Sequence, residues 1–190
     1  GCGGVGLNIV QGARMAGATT IIAVDVTQEK LDLAKKVGAT HVINGATSDP
    51  VAMVKEICGG VDYAFEALGR ESTIQQAWGT VGVDGTLILV GLMKNGATIT
   101  LDAGPFVNEQ SIKGCYFGSA NLRKDVPALV KSYLNGELFL DELISERIGL
   151  EGLNSAFDRL RAGRGRETSW SLTNSFYVST KFQIACAQHV

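Results

Sequence analysis

The residues in this chain best placed to do chemistry are three glycines near its start. Gly1, Gly3 and Gly6, with Gly4 and Val5 between the last two, read G-x-G-x-x-G. In that spacing the first glycine permits a tight turn and the second lets the backbone approach a pyrophosphate. The third lets the following helix pack closely on a sheet. The phosphate is then held by backbone N–H groups at a helix N-terminus, and no basic side chain is needed. About 20 residues further on, where such a site places an acid, Asp25 ends the run Thr20-Ile21-Ile22-Ala23-Val24-Asp25. A carboxylate at a strand tip accepts hydrogen bonds from both hydroxyls of a ribose and repels a 2′-phosphate, which is the preference of an NAD site over an NADP site. Asp25 also reads as the start of a helix near Thr27, because Asp is common at helix caps. With 24 glycines in 190 residues, the glycine spacing taken alone also fits simple turns.

No reacting group accompanies these residues. His41 and His189 are the only histidines, and Cys2, Cys58, Cys115 and Cys186 are scattered with no C-x-x-C pair. That pattern indicates neither a zinc site nor a disulfide frame, and it suits buried thiols in the cytoplasm. No Ser-His-Asp set and no paired carboxylates can be assembled. The 17 Lys and Arg against 19 Asp and Glu give a net charge of −2, without the basic surface that nucleic acid or an anionic membrane would require. No apolar run approaches the 18 or more residues of a membrane helix, and no signal-peptide pattern is visible. The chain is expected to bind a ligand and not itself to react with it.

Alternating strands and helices must position the glycines and Asp25. Val5, Ile9, Ala13 and Ala16 fall at helical spacing, with Gly17 as the stop. The strand to Asp25 follows, then a helix with Leu31, Ala34 and Val37 on one face, Thr27 as its cap and Gly38 at its end. Short strands are expected at 41–43, 61–67 and 86–90, with helices at 50–58 and 73–80. Strands at 98–101 and 111–117, a helix at 126–135 ended by Gly136, and a last helical stripe through Leu153, Ala156, Phe157 and Leu160 complete the pattern. This order predicts an α/β fold with a doubly wound parallel sheet and ligand at the carboxyl ends of its strands. Because the motif stands at residue 1, the sheet is expected to lack its first strand and the chain to be a fragment. Residues 1–168 would form the dinucleotide-binding domain with a return segment, and 169–190 an atypical tail. In that tail Trp170, Leu172, Phe176, Val178, Phe182 and Ile184 share one parity, as a strand pair would.

These segments together resemble the zinc-dependent medium-chain alcohol dehydrogenases, particularly the glutathione- or mycothiol-dependent formaldehyde dehydrogenase branch. The resemblance runs from Gly1 to about Gly163. It rests on G-C-G-G-V-G, on I-I-A-V-D-V ending at Val26, on K-K-V-G-A-T-H-V-I-N ending at Asn44 and on D-Y-A-F-E-A-L-G-R ending at Arg70. G-T-L-I-L-V-G-L, I-K-G-C-Y-F-G and A-F-D-R-L-R-A-G also agree. The resemblance implies a Rossmann fold in which Gly3, Gly4 and Val5 lie along the cofactor and Lys30 joins Asp25 at the adenosine ribose. It places Val26 and Leu68 on either side of the adenine. Val90 and Leu92, with the backbone at Cys115 and Phe117, would hold the nicotinamide ring and its carboxamide. Ordinary core packing is the other reading of the apolar positions.

The resemblance further implies NAD as cofactor, an alcohol or aldehyde as substrate, a homodimer through the 111–117 edge, and zinc held only by a separate N-terminal domain of the parent. Arg164-Gly165-Arg166-Glu167-Thr168 does not align cleanly with the R-S-V-type strand of the family, so neither arginine is assigned that strand's cofactor role. The alternatives are a stand-alone NAD-responsive binding module and part of a zinc-free quinone reductase of the same superfamily. Asp25 counts against the second, which generally prefers NADPH. The isolated chain is expected to lack dehydrogenase activity.

Overall fold

The computed structural model describes residues 1–161 and 167–170. Its first half is built around the glycine turn. Helix α1 (Gly4–Met15) buries Leu7 and Val10, and Gly17, at φ +86°, turns the chain out of it. Strand β1 (Ile22–Asp25), helix α2 (Gln28–Val37) and strand β2 (His41–Asn44) follow, with β1 and β2 paired in parallel from Ile22 opposite His41 to Asp25 opposite Asn44. Leu31, Ala34 and Val37 of α2 close over Ala23, Ile21 and Leu7 to make one apolar core. Helix α3 (Pro50–Cys58) has proline in its first turn and Asp49 as its cap, the Asp49 carboxylate accepting the Val51 N–H at 2.9 Å. Both devices satisfy or remove orphan donors of the first turn.

The second half has its own sheet. Strands β3 (Val61–Glu66), β4 (Val81–Leu89) and β5 (Ser111–Gly114) run parallel in the order β3-β4-β5, with helix α4 (Glu71–Thr80) between the first two. Ala64, Ile74, Trp78, Val81 and Leu87 form a second apolar core. Helix α5 (Leu122–Leu134), strand β6 (Ile144–Ile148), helix α6 (Leu153–Arg161) and strand β7 (Glu167–Trp170) complete the described chain, β6 and β7 pairing in parallel. All described strands therefore pair in parallel, with helices between them. Among the described residues the strands form three separate sheets, β1-β2, β3-β4-β5 and β6-β7.

Three expectations are corrected. Residues 98–101 form no strand, because helix α4 takes their backbone groups: Thr100 N–H donates to Glu71 Oε1 at 3.1 Å and Thr100 C=O accepts from Gln75 Nε2 at 2.8 Å. The expected strand 111–117 stops at Gly114. Cys115 N–H still reaches the Leu89 carbonyl at 3.0 Å, but Phe117 (φ +50°), Gly118 (φ +69°) and Ser119 (φ +51°) turn into the left-handed region, where an extended strand cannot continue. Strand β4 begins at Val81 rather than 86. Its first part is irregular, with Asp84 at φ +59° and a register shift against β3. The paired-strand reading of the tail from Leu172 onward, the 164–166 segment, Cys186 and His189 lie outside the described residues.

A glutamine ties the segment before β6 to the first half. Gln11 on α1 is fully buried, and its amide pairs with one residue in both directions: Nε2 donates to the Phe139 carbonyl at 3.0 Å while Oε1 accepts the Phe139 N–H at 2.7 Å. Arg14, one turn on, donates to Val37 and Glu137 carbonyls and lies 5.3 Å from the Phe139 ring centroid.

Candidate functional site

The glycine turn and the end of β1 meet. Cys2 N–H donates to Asp25 Oδ2 at 2.7 Å, and Thr27 N–H donates to Oδ1 at 2.9 Å. Thr27 stands at the cap position of α2 as expected but makes no side-chain cap bond; Asp25 takes its N–H instead. Asp25 therefore joins the glycine turn to the entry of α2. Burial pulls its carboxyl upward, but the N–H groups of Cys2 and Thr27, with Lys30 and the terminal amine nearby, outweigh this and hold it below the ordinary carboxylate value. It stays ionised and faces the same turn that opens α1.

The fit of a pyrophosphate to this turn rests on its crowding and its openness. A Cβ at Gly6 would stand 1.8 Å from the Gly1 carbonyl oxygen, so only glycine lets residues 1–3 fold over the first turn of α1. A Cβ at Gly3 would meet nothing within 4 Å, and Gly3, the extended residue before the helix, offers no side chain to cap it. The first four N–H groups of a helix have no intrahelical acceptor, and this one carries no acid in its first turn. Gly4 is buried and Val5 half-buried at its start. An anion is complementary to that end.

Around the turn, the ends of the strands present apolar side chains to solvent. Val26 is 66% exposed, Leu68 48% and Leu92 95%, so core packing does not account for them. Gly1 lies against Leu68: a Cβ there would come within 3.1 Å of its Cγ. Val90 is half-buried, Cys115 is half-buried with its N–H on Leu89, and Phe117 is exposed, its carbonyl accepting the Ala120 N–H at 3.4 Å.

Sequence reasoning assigned no role to Glu66, the last residue of β3, which the structure places among these groups. It is 3% exposed. Its Oε1 accepts from Leu68 N–H at 2.8 Å, Gly69 N–H at 3.0 Å and Thr73 Oγ1 at 2.7 Å, while Oε2 accepts Gly69 N–H at 2.9 Å. The usable signal was alternation, because Glu66 shares a face with Ala64 two residues earlier and Ala64 is core. Buried Cys2 is the other unassigned group. Burial pushes its thiol up to about 11, the amino terminus and Lys30 opposing and Asp25 adding to the rise. Its thiol faces the Val24 carbonyl at 3.6 Å.

Among the described residues no three His, Cys, Asp or Glu side chains are grouped so as to hold a metal ion, so a zinc ion has no donor set there. No helix among them is long and apolar enough to cross a membrane.

Comparison with known proteins converges on one family. The zinc-binding dehydrogenase family model matches residues 4–135. The chain is 37% identical over 173 residues to alcohol dehydrogenase class-3 of Oryza sativa subsp. japonica, covering 86% of this chain and 44% of that protein. It is 35% identical over 180 residues to S-(hydroxymethyl)glutathione dehydrogenase of Paracoccus denitrificans, covering 86% and 46%. The crystal structure of benzyl alcohol dehydrogenase from Acinetobacter calcoaceticus superposes with a TM-score of 0.82 at 38% identity, over 86% of this chain and 45% of that one. The chain thus spans less than half the length of these relatives. With a parallel α/β fold, a glycine turn at the mouth of α1 and a family match over most of its length, this chain belongs to the zinc-binding dehydrogenase family.

Proposed function

We propose that this chain is the NAD-binding portion of a zinc-type alcohol or formaldehyde dehydrogenase. The observation that carries the reading is the ionised Asp25 bound to the backbone of the glycine turn, which sets a ribose acceptor beside an anion-binding helix end. In this reading residues 1–168 are the dinucleotide-binding domain and 169–190 a separate tail. The first turn of α1 binds the pyrophosphate. Asp25, with Lys30, orients the adenosine ribose, and Val26 and Leu68 enclose the adenine. Val90, Leu92 and the backbone at Cys115 and Phe117 orient the nicotinamide and keep water from its face. When bound, the cofactor supplies the hydride acceptor for an alcohol or thiohemiacetal, or the donor for the reverse reaction. In this reading the chain's own residues bind and orient the cofactor. The protein is soluble and cytoplasmic in this reading, and it pairs with a second copy along β5.

Calorimetry of the chain with NAD and NADP tests the cofactor. NAD is expected to bind more tightly, and Asp25→Gly to narrow the gap by about tenfold or more, as hydrogen bonds to a charged group are lost and repulsion of the 2′-phosphate is relieved. An unchanged ratio would remove Asp25 from the ribose. Activity is tested by splicing the chain in place of the matching part of the Paracoccus enzyme and measuring NADH formation on S-(hydroxymethyl)glutathione. A folded chimera that binds NAD and forms no NADH with any alcohol or thiol adduct would refute the dehydrogenase reading.

A further inference from the structure

A carboxylate buried without a cation is stabilised only by hydrogen bonds. Glu66 makes no ion pair among the described residues and is satisfied by Leu68, Gly69 and Thr73. Two backbone N–H groups and one hydroxyl converge on its two oxygens, so the peptide joining Leu68 and Gly69 is held firmly at the end of β3. The main-chain carbonyl of the same residue accepts Val90 N–H at 2.9 Å and Gly91 N–H at 2.8 Å, which fixes the end of β4. The two loops touch backbone to backbone. A Cβ at Gly91 would lie 2.1 Å from Gly69 N and 2.7 Å from Glu66 Oε2, and one at Gly69 would lie 2.3 Å from the Leu92 carbonyl oxygen.

What this knot presents outward is Leu68, beside Gly1 and half exposed. We infer that Glu66 is a positioning residue for the adenosine half of the dinucleotide: its carboxylate fixes the peptide that carries Leu68, and thereby the wall against which the adenine rests. The inference rests on the dinucleotide reading above. The side chain acts through Leu68 and touches no reacting atom. Its effect falls on the adenosine end because the contacts that hold residues 90 and 91 come from the main chain, which a substitution leaves in place.

The test uses the full chain, with 5′-AMP as the probe for the adenosine half and NAD for the whole, both by calorimetry well below the melting temperature. Glu66→Gln keeps the shape but turns an amide donor toward the backbone N–H donors. It is expected to raise both dissociation constants by about tenfold, the loss of one or two hydrogen bonds, and to speed hydrogen exchange at Leu68 and Gly69. A lower melting temperature with both constants unchanged would make Glu66 merely structural and overturn the inference. Weakening of NAD with AMP unchanged would overturn its assignment to the adenosine half. Should Glu66→Gln not fold, Thr73→Val decides, with an expected loss of AMP affinity of about threefold; no loss overturns the inference. A parent chain that binds neither AMP nor NAD overturns the dinucleotide reading itself, an outcome distinct from a parent that binds both while the variants match it.

Discussion

Asp25 is engaged once on each oxygen, by Cys2 and by Thr27. An ionised carboxylate offers about four acceptor positions, so two backbone bonds leave capacity for two ribose hydroxyls. Its acidity follows from the same contacts. Because its folded pKa lies below the ordinary carboxylate value, the group adds stability that is present above that value and is lost as pH falls through the folded pKa. The melting-temperature difference between the parent chain and Asp25→Asn should therefore be largest near neutral pH and shrink below about pH 4. A difference independent of pH would show that the charge contributes nothing. Cys2 and Cys58 offer a second contrast at this scale. Cys2 is buried with its thiol pushed up to about 11, whereas Cys58 is exposed. At pH 8 iodoacetamide should label Cys58 first, and Cys2 only as fast as the turn opens; mass mapping of the labelled peptides reads the order. The glycines and Asp25 were legible in the sequence because their geometry is local. Glu66 was not, because its donors, though near in sequence, reveal their purpose only when β4 arrives beside them.

At the scale of elements, legibility followed the reach of the signal. Helix α3 was readable to the residue, since Pro50 and the left-handed Gly59 (φ +76°) mark its ends within the helix's own sequence. The 98–101 segment was not, because its fate depends on Glu71 and Gln75, more than 20 residues away. The end of β5 hid in the conformation of Phe117, a residue type that ordinarily favours strands. Gln11 belongs to the same class of long-range devices. Replacing it with alanine leaves the Phe139 N–H and carbonyl without their partner, and should destabilise the chain by about 2–3 kcal/mol, the cost of stranding buried polar groups; urea denaturation measures it. A loss under about 0.5 kcal/mol would mean that water replaces the amide. Among the described residues strand β5 has one neighbour in its sheet, β4. An unpaired edge favours association, and sedimentation at increasing concentration should show a dimer that Ile112→Pro abolishes. A dimer that survives this substitution would lie elsewhere.

At the scale of the molecule, the parallel α/β class and the ligand edge could be read from the alternation of elements, and the comparisons with relatives agree on the fold. What alternation could not convey is how the cores divide. One gathers around α1, β1 and α2, the other around β3, α4 and β4. No described strand joins the β1-β2 sheet to the β3-β4-β5 sheet through hydrogen bonds, and α3 lies close to both β2 and α4. Sheet hydrogen bonding is one carrier of cooperativity between neighbouring strands, so among the described residues the β1-β2 and β3-β4-β5 units can be followed by separate probes. Trp78 is buried in the second core with its indole N–H on the Asp102 carbonyl, and its fluorescence reports that half alone if Trp170 is replaced by phenylalanine. Amide exchange at Ala23 and Val24 reports the other. The two probes should give different denaturation midpoints, and a ligand that spans both halves should draw those midpoints together, since binding that requires two foldons at once couples their stabilities. A dinucleotide bound as proposed would then serve as a thermodynamic link between these two cores.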